Sequence, residues 1–85
     1  MPRVISADPT PNENAMKFTL DAKAIESGSK TYSAANASEN PTATRLFALP
    51  GVKSVFMLND FITVSKDPAA SFDELEALII DAING

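Results

Sequence analysis

The stretch VFMLNDFITV, Val55 to Val64, sets two short apolar runs on either side of Asn59 and Asp60. A two-residue turn at Asn-Asp, residue types that tolerate left-handed backbone better than most, predicts a hairpin over 52–66. It pairs Leu58 with Phe61, Met57 with Ile62, Phe56 with Thr63 and Val55 with Val64. Side chains alternate across a strand, so this register puts Val55, Met57, Ile62 and Val64 on one face. Phe56, Leu58 and Phe61 fall on the other, diluted by Ser54, Thr63 and Ser65. A surface hairpin is normally apolar on one face, so something is expected to meet the second one.

The first face needs a helix, and residues 71–83 supply it. Phe72, Leu75, Leu78, Ile79, Ala82 and Ile83 recur at three- and four-residue spacing, the period of an amphipathic helix. Ser71 followed by Glu74 reads as a capping box, with Asp73 adding charge near the helix N-terminus. Upstream, AMKFTL alternates with Met16, Phe18 and Leu20 on one side, the pattern of a half-buried strand. Arg3 to Ala7 is a brief β-like run ended by the turn-forming DPTPNEN. From Asp21 to Asn40 the pattern fades into a loop that admits a strand at Lys30 to Ala34. NPTATRLFALPG then predicts a helix of about two turns, capped by Asn40 or Thr42 near Pro41, burying Leu46, Phe47 and Leu49, and stopped by Pro50-Gly51. The expected class is α+β: one domain over 1–85, a small antiparallel sheet packed against two helices in a two-layer sandwich.

Composition narrows function by exclusion. Among 85 residues there is no Cys and no His. Thiolate nucleophiles, Ser–His and Cys–His dyads, structural zinc and the usual soft ligands of an iron–sulfur cluster are therefore not available from this stretch of chain. Gly28, Gly51 and Gly85 are too scattered for a phosphate-cradling loop, and Asp60, Asp67 and Asp73 read as turn and helix-start residues rather than metal ligands. No catalytic residue, cofactor or metal is expected. A net charge of −4 argues against nucleic acid. No apolar run approaches a membrane span, and the start Met-Pro-Arg does not resemble a signal peptide, so the expectation is a cytoplasmic protein without a membrane partner, monomeric by preference.

PTPNENAMKF followed by LFALPGVKSVFMLNDFITVSKD resembles the N-terminal domain of the Nfu/NifU-type iron–sulfur cluster scaffold proteins. Thr10, Pro11, Asn12, Asn14, Lys17 and Phe18 match the first block of that family, and Gly51 to Phe56 with Asp60 to Val64 match the second. The resemblance implies an antiparallel sheet backed by helices and a role in assembling or delivering iron–sulfur clusters. It also implies that the cluster is held by a C-x-x-C motif in a separate C-terminal domain, which this chain does not contain. The expected function is a non-enzymatic accessory domain that works through protein contacts, with cluster carriers or apo-proteins as partners. The alternative is a general adaptor for acidic or phosphorylated segments, unrelated to clusters; a small hydrolase is more remote.

Candidate partner-binding residues follow from these patterns. Phe56, Leu58 and Phe61 either receive another protein or are covered by the N-terminal strands, the short helix or the loop before it. Asn12 and Asn14 either present side-chain amides to a partner or hydrogen-bond their own loop. Lys17, Lys53 and Lys66 are scattered cations; if the last two sit opposite each other at the open end of the hairpin, an acidic peptide or phosphate between them would relieve their repulsion, the alternative being solvated strand-end lysines. Arg45 is expected to be exposed on the short helix, beside Phe47, where it could recognise a carboxylate.

Overall fold

A computed structural model describes residues 3–25 and 28–84 of the chain; residues 26 and 27, in the expected loop, lie outside them. The elements run β1 (Val4–Pro9), β2 (Ala15–Leu20), β3 (Ser29–Tyr32), a 3-10 turn (Ala37–Glu39), α1 (Pro41–Phe47), β4 (Val52–Leu58), β5 (Phe61–Lys66) and α2 (Phe72–Asn84). The five strands form one sheet in the order β1-β2-β5-β4-β3, with every neighbouring pair antiparallel.

The β4–β5 hairpin has the expected register: Val55↔Val64, Phe56↔Thr63, Met57↔Ile62 and Leu58↔Phe61. Its turn requires Asn59 at φ 52°, the left-handed region that Asn tolerates at low cost. One face is thereby committed to the core. Val55, Met57 and Val64 have no exposed surface and Ile62 has 1%. Pairing of Met16 with Val64 and Phe18 with Ile62 adds β2 to the same face, and Tyr32 joins it through its pairing with Val55. Against this surface pack Ala43 and Leu46 of α1 and Leu75, Ile79 and Ile83 of α2.

Local chemistry explains where elements start and stop. Asn40 caps α1 by accepting from the backbone N–H groups of Thr42 and Ala43 at 2.9 and 3.1 Å, and Pro41 occupies the first turn, where its missing N–H costs nothing. After α1 the chain turns through Gly51 at φ 93°. A Cβ there would lie 2.7 Å from that of Ala70, so glycine is required on both counts.

Several boundaries depart from expectation. β1 reaches Pro9 instead of ending at Ala7, because Asp8 and Pro9 still pair with Lys17 and Met16. β3 is Ser29–Tyr32 rather than Lys30 to Ala34, since Asn36 Oδ1 accepts from the Ser33 N–H at 2.6 Å and folds the chain away from the ladder. The predicted capping box does not form: Ser71 Oγ accepts from the N–H of Asp73 at 3.2 Å, a simple N-cap bond, and the Glu74 N–H donates to the Ser71 carbonyl instead. Leu78 is 43% exposed, off the buried line of Leu75, Ile79 and Ile83, because it is rotated about 100° from Ile79 around the helix axis.

The uncovered sheet face as candidate functional site

Among the described residues both helices and the 3-10 turn pack on the first face of the sheet. The N-terminal strands do not fold over the second face, as one expectation had it. Their backbone groups are satisfied edge-on, β2 by β5 and β1 by β2. The short helix does not cover it either, since Leu46 and Ala43 point into the core.

Register fixes what this second face presents. One cross-sheet row reads Asp8, Lys17, Thr63, Phe56, Thr31, and the next reads Ser6, Thr19, Phe61, Leu58, Ser29. Phe56, Leu58 and Phe61 are half-buried. The two rings tilt at 50° with centroids 6.4 Å apart, within the range of favourable aromatic pairs. Lys17 places its Nζ 4.5 Å from the Phe61 centroid, so its ammonium rests on the ring instead of reaching Asp8 across the strand. The face carries Phe56, Phe61 and Leu58 together with one cation, Lys17, one carboxylate, Asp8, and several Ser and Thr hydroxyls.

The other candidates are drawn into the framework. Asn12 Oδ1 accepts from the Asn14 N–H at 2.9 Å, and Thr10 Oγ1 donates to Asn12 O at 2.8 Å, an Asx-type turn that shapes its own loop. Asn14 Oδ1 accepts from Lys66 Nζ at 3.0 Å. Lys66 is only 9% exposed, with its ammonium 5.4 Å from the Phe72 centroid. It does not face Lys53: Lys66 pairs with Val52, and a register shift between Val52 and Ser54 leaves Lys53 exposed outside the ladder. Arg45 is half-buried rather than exposed. Its Nε donates to Ala82 O at 2.7 Å and an Nη to Thr42 Oγ1 at 3.3 Å. It supplies positive charge at the end of a helix whose last turn has no basic residue.

Sequence reasoning did not anticipate the Asn14–Lys66 pair, the Arg45–Ala82 bond, or the Asn84 side chain that accepts from the Val4 N–H at 2.9 Å. Nothing local in the sequence signals contacts across such separations. Among the described residues the one ion pair is Lys30 with Glu39 at 3.0 Å, on the surface, and the Glu39 hydrogen bond and charge raise the Lys30 pKa above its ordinary value. No group of three or more metal-ligating side chains occurs among them, and no helix is long and apolar enough to cross a membrane.

Comparison with known proteins places this geometry. The crystal structure of protein SAV1430 from Staphylococcus aureus superposes with a TM-score of 0.85 at 31% identity, covering 94% of this chain and 96% of that one. The human NFU1 iron-sulfur cluster scaffold homolog, mitochondrial, is 41% identical over 64 residues, 74% of this chain and 25% of that protein. Conserved virulence factor C of Staphylococcus haemolyticus is 28% identical over 81 residues, 95% of this chain and 22% of that protein. The chain thus spans about a quarter of the length of these two relatives. Residues 5–85 match the family described as scaffold protein Nfu/NifU N terminal, and the chain belongs to that family.

Proposed function

We propose that this chain is a non-enzymatic accessory domain of iron–sulfur cluster assembly or delivery, and that it acts by docking a protein partner on the uncovered sheet face. The observation that carries the reading is the arrangement of the family's signature residues. The G-V-K-S-V-F and D-F-I-T-V segments form one hairpin, whose Val55, Met57, Ile62 and Val64 close the core while Phe56, Leu58 and Phe61 face away from both helices. Apolar and aromatic side chains flanked by hydroxyls and by Lys17 and Asp8 have the mixed anatomy of a contact surface. The cluster is cargo in this reading. With no Cys and no His in these 85 residues, the thiolates that hold it come from the partner or from a companion domain.

The adaptor for acidic or phosphorylated segments has less support. Of the cations it would use, Lys66 is buried against Asn14 and Phe72, and Arg45 is bonded to Ala82. Only Lys17 and Lys53 are exposed.

The test is an amide chemical-shift titration of the labelled chain with a purified Cys-bearing cluster carrier, in apo and cluster-loaded forms. Shifts concentrated at Lys17, Phe56, Leu58, Phe61 and Thr63, lost in a Phe56→Thr/Phe61→Thr variant of unchanged fold, support the reading. Thr keeps strand propensity, so the variant removes the rings and spares the ladder. A variant that folds and still binds as before overturns the assignment of the surface.

A further inference from the structure

On the helical side of the molecule, far from the aromatic sheet face in the layer order, Pro50, Gly51, Ala69, Ala70, Ser71, Glu74, Leu75 and Leu78 line an open depression of about 480 Å³. Three observations bear on what it takes. Its floor is apolar, and Leu78, one of two large hydrophobic residues exposed among those described, stands at its edge. Its only charged lining group is Glu74. That carboxylate has no side-chain partner: the capping box that would have turned it back to Ser71 does not form, and it makes no ion pair among the described residues. The wider field has the same sign, because α2 carries Asp73, Glu74, Glu76 and Asp81 and no basic residue.

From this charge and shape we infer that the depression docks a short basic segment of another protein, an aliphatic side chain entering beside Leu78 and a Lys or Arg next to it meeting Glu74. Apolar burial supplies the seat, and the acidic helix selects the sign of the partner. The site is separate from the aromatic sheet face and does not depend on the function proposed for that face.

The experiment uses the full chain, labelled for amide spectra, with two capped tetrapeptides, Lys-Leu-Leu-Lys and Glu-Leu-Leu-Glu. The basic peptide is expected to shift the resonances of Gly51, Ala70, Ser71, Glu74 and Leu78 in a saturable way that weakens with added salt, and the acidic peptide to leave them in place. Glu74→Gln should weaken binding about three- to fivefold, the range of an exposed ion pair. Leu78→Ser, at a position 43% exposed and therefore tolerant of a polar side chain, should weaken it about tenfold. Phe56→Thr/Phe61→Thr should bind the basic peptide like the unchanged protein. Equal response to both peptides, shifts centred on Lys17 and Phe61, or indifference to both Glu74→Gln and Leu78→Ser would each overturn the proposal. Failure of the cluster carrier to dock on the sheet face would leave it standing.

Discussion

Gly51 combines a backbone angle that L side chains rarely adopt with a position where a Cβ would meet that of Ala70 at 2.7 Å. Gly51→Ala is therefore expected to lower stability by about 2 kcal/mol or more, from left-handed backbone strain and the displacement of Ala70, measured as a shift in urea midpoint. Arg45 and Lys66 make a complementary case. Both have the residue type of surface or partner-binding groups, and the sequence offered them as such. Their actual bonds, to Ala82 O and to Asn14 Oδ1, close across 37 and 52 positions of chain. Periodicity and local propensity carry no information about pairs so far apart, so these roles were illegible before the fold was known. Arg45→Ala should destabilise by about 1.5 kcal/mol, the scale of a hydrogen bond to a charged donor, and Arg45→Lys should recover part of it as a point charge without the planar fork. The readout is thermal unfolding of the three proteins side by side.

At the scale of elements, legibility followed the length and regularity of the pattern. The hairpin from Val55 to Val64 and the strand Ala15–Leu20 were readable to the residue, from alternation and a two-residue Asn-Asp turn, but the register shift between Val52 and Ser54 at the open end was not. α2 was readable as an element but not in rotation. A stripe of apolar residues at three- and four-residue spacing covers more of the helix than the sheet can bury, and Leu78 at its margin ended outside. β3 was poorly specified, because its four residues include one buried side chain, Tyr32, and its end is set by an Asn36 side chain rather than by its own composition. The second face of the sheet left two readings open, since a sequence does not say on which side of a sheet a later helix will pack. The difference between faces gives a quantitative expectation. Met57→Ala, wholly buried, should cost about 2–5 kcal/mol. Phe56→Thr, half-buried, should cost distinctly less, in chemical denaturation followed by the Tyr32 signal or far-UV dichroism. Near-equal costs would mean that Phe56 is part of the core.

For the molecule as a whole, pH dependence at the alkaline end has a defined sign. The folded-state pKa of Lys30 is raised above its ordinary value of 10.5, first by the hydrogen bond with Glu39 and then by that carboxylate's charge. A group whose pKa is higher folded than unfolded contributes stability that is complete below the ordinary value and vanishes as pH climbs through the raised one. The pair is exposed and its contribution correspondingly slight, so the check is differential: the stability gap between the unchanged protein and Lys30→Gln should narrow as pH is raised past the lysine range.

The position of α2 in the chain order has a consequence for folding. All five strands precede it, yet Leu75, Ile79 and Ile83 form one wall of the single core, and Ala82 O accepts from the Arg45 side chain. Until residues 72–84 pack, a paired sheet leaves part of the apolar surface formed by Phe18, Val55, Met57, Ile62 and Val64 open to water. A chain whose strands have paired before α2 docks is thus an adhesive half-sandwich, the state in which holding factors or premature association would compete for it.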